Sequence, residues 1–114
     1  MSVSLRILFW AIGLVVAVLS LLPAEQLPSI AFDWWDKAQH ALAFFALGML
    51  GFAAYPAQER RVLLGLLAAG LAIELAQAAT GWRYGDWQDW VADTVGVGGA
   101  WGVWRLLGNG GAAG

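Results

Sequence analysis

The chain has 114 residues, 61% of them apolar and 12% charged, with a formal net charge of −2 and a mean hydropathy of +0.67. A soluble domain is roughly half apolar and a quarter charged, so a soluble globule is all but excluded, and at about 20 residues per crossing four membrane helices leave no room for a separate catalytic domain. Cysteine is absent and histidine occurs once, which removes disulfides, thiolate nucleophiles and multi-histidine zinc sites; the six scattered basic residues do not form the concentrated basic face that nucleic acid requires.

The first predicted helix covers about 5–22. It is apolar from Ile7 to Leu22 except for Ser20, and it follows Arg6, a pattern shared with signal peptides. Cleavage after Ala24 would need a small residue where Leu22 stands, so the segment is read as a retained membrane helix. Pro23 and Pro28 bracket a non-helical connection. The second, third and fourth helices are predicted at about 37–55, 60–80 and 87–107. Each apolar run is near spanning length, and none has the alternation of a membrane β-barrel. Pro56 breaks the chain between the second and third, where Gln58, Glu59, Arg60 and Arg61 make a polar hairpin. Residues 108–114 are glycine and alanine with Asn109 and read as a flexible tail. No internal repeat is visible.

Arg6, Arg60, Arg61 and Arg105 fall on one side of this arrangement, against Lys37 and Arg83 on the other. The richer side is expected in the cytoplasm, so both termini are predicted inside. Of the eight tryptophans, Trp34, Trp35, Trp82, Trp87 and Trp90 lie in or beside the outer segments. Trp10, Trp101 and Trp104 lie nearer the inner half. Tryptophan at both boundaries is expected to anchor the bundle, with the indole ring buried and its N–H wet.

An ionisable group in hydrocarbon costs a few kcal/mol or more unless it is partnered or hydrated, so polar residues within apolar helices are the functional candidates. Asp36 and His40 share a helix face at the outer start of the second helix, with Lys37 beside them. Glu74 and Gln77 share a face of the third; Glu74 lies about 9 Å below Thr80, too deep to snorkel. Asp86, Asp89 and Asp93 form a stripe on the fourth helix that Gly96 continues, with Asp86 suited to the N-cap and Asp89 to the first turn. Gly96, Gly98, Gly99 and Gly102 then give a smooth surface, with Gly98 and Gly102 as a small-xxx-small pair for helix packing. Arg83 lies in the outer connection. The expected arrangement is one extracytoplasmic polar pocket of Asp36, Lys37, His40, Glu74, Gln77, Arg83, Asp86, Asp89 and Asp93, with nothing comparable in the inner half.

The pattern Asp36-Lys37-x-x-His40, Glu74-x-x-Gln77, Arg83-x-x-Asp86-x-x-Asp89 and Asp93-x-x-Gly96 resembles the VanZ-like family of small bacterial membrane proteins, named after a teicoplanin resistance protein. The resemblance covers roughly residues 33–102. It implies an inner-membrane, envelope-associated role, linked in some members to lowered glycopeptide susceptibility, and no settled reaction. One position departs: the family usually has asparagine where this chain has Asp93, a group that must be protonated or paired.

Three functions are compatible with these residues. The favoured one is a pocket that binds or modulates an envelope molecule, lipid-linked or peptidoglycan-related. The second is a small intramembrane hydrolase or transferase with His40 and Glu74 as acid and base and Arg83 on an anionic headgroup. The third is a structural subunit of a larger envelope complex. No cofactor is implied. A divalent-metal site on Asp36, His40, Glu74, Asp86 and Asp89 is disfavoured because Lys37 and Arg83 already balance those acids. None of Ser2, Ser4, Ser20, Ser29, Thr80 and Thr94 has the spacing of an activated nucleophile.

Overall fold

The computed structural model of the protein describes residues 2–21, 33–80 and 87–108. Four helices make up nearly all of it: α1 (Ser2–Leu21), α2 (Asp33–Ala54), α3 (Glu59–Thr80) and α4 (Trp87–Leu106), with a single 3-10 turn at Pro56–Gln58. Among the described residues there is no strand. The expectations for Pro23, Pro28 and residues 109–114 fall outside the described residues.

A helix of about 20 residues rises about 30 Å, the thickness of a hydrocarbon core. The bundle is 44 Å long and 25 by 22 Å across, so it matches a bilayer with its headgroup layers. Two helical stretches, Val3–Leu21 and Pro56–Ala79, are long and apolar enough to cross a membrane, while Ala38–Ala54 is apolar but shorter. α2 begins at Asp33, four residues before the expected position. Hydropathy marks where a helix enters an apolar medium, whereas backbone hydrogen bonding marks where it begins.

The core lies where all four helices meet. Phe9 of α1, Phe44, Leu47 and Phe52 of α2, Val62 and Leu66 of α3, and Val97, Ala100 and Trp104 of α4 are buried together. The closest approach joins α2 and α4. A Cβ on Gly96 would lie 2.2 Å from the Ala41 carbonyl oxygen, and one on Gly48 would lie 2.6 Å from Ala100 Cβ. The packing face of α4 is therefore Ala92, Gly96, Ala100 and Trp104, one residue per turn, and all four are buried. This corrects the expectation for Gly98 and Gly102, since nothing stands within 4 Å of a Cβ built on either. Bringing Asp93 toward α2 carries Gly96 and Ala100 to the same side and turns Gly98 and Gly102 outward.

Outside the core the bundle is apolar. Ile7 and Leu14 of α1 are each 66% exposed and Trp10 65%, a contiguous face that a water-soluble monomer rarely presents. Helices consecutive in the chain run in opposite directions, so α2 and α4 pack parallel, as do α1 and α3, and side-chain bonds near both ends show it. At one end Arg6 Nε donates to the Ala54 carbonyl at 3.2 Å, placing a cation at the negative C-terminal end of α2. Its guanidinium stacks 4.6 Å from the Tyr55 ring centre. Toward the other end the Gln77 amide donates to the Ser20 carbonyl at 2.8 Å.

Candidate functional site

The backbone contact of Gly96 with Ala41 sets His40, the residue before Ala41, beside Asp93, which lies one turn before Gly96 on α4. His40 Nδ1 lies 3.1 Å from Asp93 Oδ1, and its Nε2 lies 3.9 Å from Asp89 Oδ2. All three side chains are largely removed from the surface, at 12%, 4% and 10% exposure for His40, Asp93 and Asp89. A carboxylate beside Nδ1 makes that nitrogen the donor and fixes the ring's orientation. The gap between Nε2 and Asp89 Oδ2 exceeds a direct hydrogen bond, so this second contact is one of charge proximity.

Two further elements hold this arrangement. Asp89 stands in the first turn of α4, where a carboxylate meets the positive end of the helix dipole. Gly70 of α3 backs Asp93, since a Cβ there would lie 3.0 Å from Asp93 Oδ2. The Trp90 indole donates to the Leu67 carbonyl at 3.0 Å, locking α3 against α4 at the same level.

Of the residues expected in one pocket, the structure brings together His40, Asp89 and Asp93. Glu74 is partly buried. It follows Gly70 by one turn, about 6 Å toward the end where α4 starts, and on the same face of α3. Gln77 is 1% exposed, and its amide reaches α1 at Ser20, so it ties α3 to α1. Asp36 and Lys37 are within α2, but their side chains fall outside the described residues, as do Arg83 and Asp86 entirely. Among the described residues no three histidine or acidic side chains are arranged to hold a metal ion. The hydroxyls of Ser20 and Thr94 donate to the carbonyls of Val16 and Trp90 in their own helices, which keeps them from acting as nucleophiles while those bonds hold.

A second polar cluster lies at the opposite end, where the sequence shows a short polar hairpin. Glu59, 2% exposed, accepts from the Trp101 indole and from Arg105 Nε at 3.0 Å. The Arg105 guanidinium also packs 5.2 Å from the Trp101 ring centre. This corrects the expectation that the inner half holds nothing comparable. A buried glutamate at a helix start needs partners, and these come from 42 and 46 positions away, a separation no local spacing rule detects. The one sequence signal was Trp101 and Arg105 one turn apart on α4. Trp104 is likewise no boundary anchor: it is 9% exposed and part of the core.

A sequence model of the VanZ/LLP1 family matches residues 3–108, a span that takes in both polar clusters. No curated protein and no solved structure matches.

Proposed function

From the premise that the chain belongs to the VanZ/LLP1 family, which together with two apolar helices of spanning length points to a membrane protein, we propose a four-pass protein of the bacterial cytoplasmic membrane with both termini inside. Its polar site faces the extracytoplasmic side and binds or modulates an envelope molecule, lipid-linked or peptidoglycan-related. The observation that carries this reading is His40 set between two carboxylates of α4, 3.1 and 3.9 Å away. Such a group is costly in an apolar bundle. Two acids flanking one imidazole favour hydrogen-bond donors or a cationic group on the ligand, and Glu74, one turn from Gly70, extends the same wall.

The orientation draws its support from the arginines. Arg6, Arg60, Arg61 and Arg105 gather at the end of the bundle opposite the start of α4, as an inward-facing end requires. In this reading Asp36, Lys37, Arg83 and Asp86 complete the pocket mouth.

The test is retention of a lipid-linked peptidoglycan precursor by the purified protein in nanodiscs, followed by native mass spectrometry. Wild type should retain it, and His40→Gln and Asp89→Asn should each release it while keeping the thermal midpoint within a few degrees. Equal retention by both variants rejects the pocket. A second reading, hydrolysis or transfer at the headgroup, rests on the carboxylate that orients His40 Nδ1, the arrangement of an oriented general base. Turnover of the precursor by wild type, lost in His40→Gln, would establish that reading in place of binding.

A further inference from the structure

Between α1 and α3, floored by Phe44 and Leu47 of α2, runs a cavity of about 650 Å³ that the polar site does not use. Its walls are kept open by small residues, Gly13 and Ala17 on α1 and Gly65 and Ala69 on α3. Nothing lies within 4 Å of a Cβ built on Gly65. The lining is apolar except at one end, where Arg61 and Gln58 stand beside the bonded pair of Trp10 Nε1 and Tyr55 hydroxyl.

We propose that this trough seats one acyl chain of an anionic glycerophospholipid from the cytoplasmic leaflet, with the headgroup phosphate on Arg61. Three observations select that occupant. The trough reaches from Arg61 to Ile73, about 18 Å along α3, which is close to the depth of one leaflet, about 15 Å. An apolar trough of this volume left empty forfeits the dispersion contacts of its lining, and in a bilayer the medium that fills it is acyl chain. Charge completes the match. Arg6 is held by Ala54 and Tyr55 and Arg105 by Glu59, whereas Arg61 makes no hydrogen bond or ion pair among the described residues and offers a planar fork for phosphate oxygens. The inference rests on the bilayer placement proposed above but is independent of the His40 site.

The test titrates delipidated full-length protein with phosphatidylglycerol or phosphatidylcholine of the same chains and reads bound lipid by native mass spectrometry. Wild type should bind one phosphatidylglycerol about tenfold more tightly than phosphatidylcholine, because the choline ammonium of the latter offsets the phosphate charge that Arg61 meets. Arg61→Gln should erase that preference, whereas Arg60→Gln, whose side chain lines a different recess beside Leu64 and Trp101, should keep it. Gly65→Leu and Ala69→Leu should weaken both lipids by filling the trough, with thermal midpoints followed to exclude misfolding. Because Gly65 borders open space, at least that variant is expected to fold. An unchanged preference in Arg61→Gln, unchanged lipid binding in folded Gly65→Leu, or tighter binding of a polyprenyl phosphate than of phosphatidylglycerol would each overturn the assignment. Loss of precursor retention in His40→Gln with lipid binding intact would separate the two sites.

Discussion

His40 Nδ1 meets Asp93 Oδ1 at 3.1 Å across the α2–α4 seam. The bond joins residues 53 positions apart, and it exists because Gly96, three residues beyond Asp93, lets the α4 backbone touch Ala41. A position where the resembled family usually has asparagine is thus matched by an imidazole placed to pair with its carboxylate.

Replacing Asp93 by asparagine should therefore be mild. An amide oxygen still accepts from Nδ1–H, and the expected cost is about 1 kcal/mol, the difference between a charged and a neutral acceptor. Asp93→Ala removes the acceptor and leaves a buried donor facing a void, at a cost of about 2–3 kcal/mol. Unfolding in mixed micelles with increasing denaturing detergent would rank the two. Equal losses would show that the imidazole draws no stability from residue 93.

Gly96→Ala should be the most damaging alanine substitution among the described glycines. Its Cβ would sit 2.2 Å from a backbone carbonyl oxygen, which no rotamer can relieve, so α4 must move off α2 at a cost of about 3 kcal/mol or more. Gly98→Ala and Gly102→Ala meet nothing within 4 Å and should be neutral or stabilising by about 0.5–1 kcal/mol, since alanine restricts the unfolded chain. A denaturation series over the three variants checks the assignment of the packing face.

The sequence disclosed what depends on one helix at a time. Four long apolar runs gave the four helices, and spacing of three and four placed Asp89, Asp93 and Gly96 on one stripe. Which glycine packs was hidden, because Gly96-xxx-Ala100 and Gly98-xxx-Gly102 are equally small and only the partner helix distinguishes them. Glu59 was hidden for a related reason: beside Arg60 and Arg61 in a proline-broken hairpin it reads as solvated, and its burial is imposed by Trp101 and Arg105. Gln77 shares a face with Glu74 in the sequence and is expected in the pocket, yet its amide reaches α1 at Ser20, a partner that only the packing of α3 against α1 supplies.

Removing Glu59 should cost more than removing Arg105. In Glu59→Ala both the Trp101 indole and the guanidinium lose their acceptor near the core, at about 2–3 kcal/mol. Arg105 is 42% exposed on its side chain, so water and the Trp101 indole partly compensate Glu59 in Arg105→Ala, and about 1 kcal/mol is expected. Thermal midpoints in a single detergent give the order. The reverse order would mean that the carboxylate is hydrated and the cluster contributes little.

The proposed orientation is testable because the chain has no cysteine, so a single introduced thiol reports one position without interference. Glu59 is unsuitable as a probe site, since at 2% exposure a thiol there would resist reagent whichever side it faced. Gln58, one residue earlier and exposed, sits on the same α2–α3 connection without the buried bonds, so Gln58→Cys should fold and react freely once reached. With the arginine-rich end in the cytoplasm, an impermeant maleimide should label Gln58→Cys only after the membrane is opened, and should label Trp82→Cys, in the α3–α4 connection, in intact cells. The pair is informative together, because labelling of both from outside would mean leaky cells, whereas exchange of the two patterns would invert the bundle. An inverted bundle would put the His40 site on the cytoplasmic side, away from any peptidoglycan ligand, and the trough's arginine in the outer leaflet.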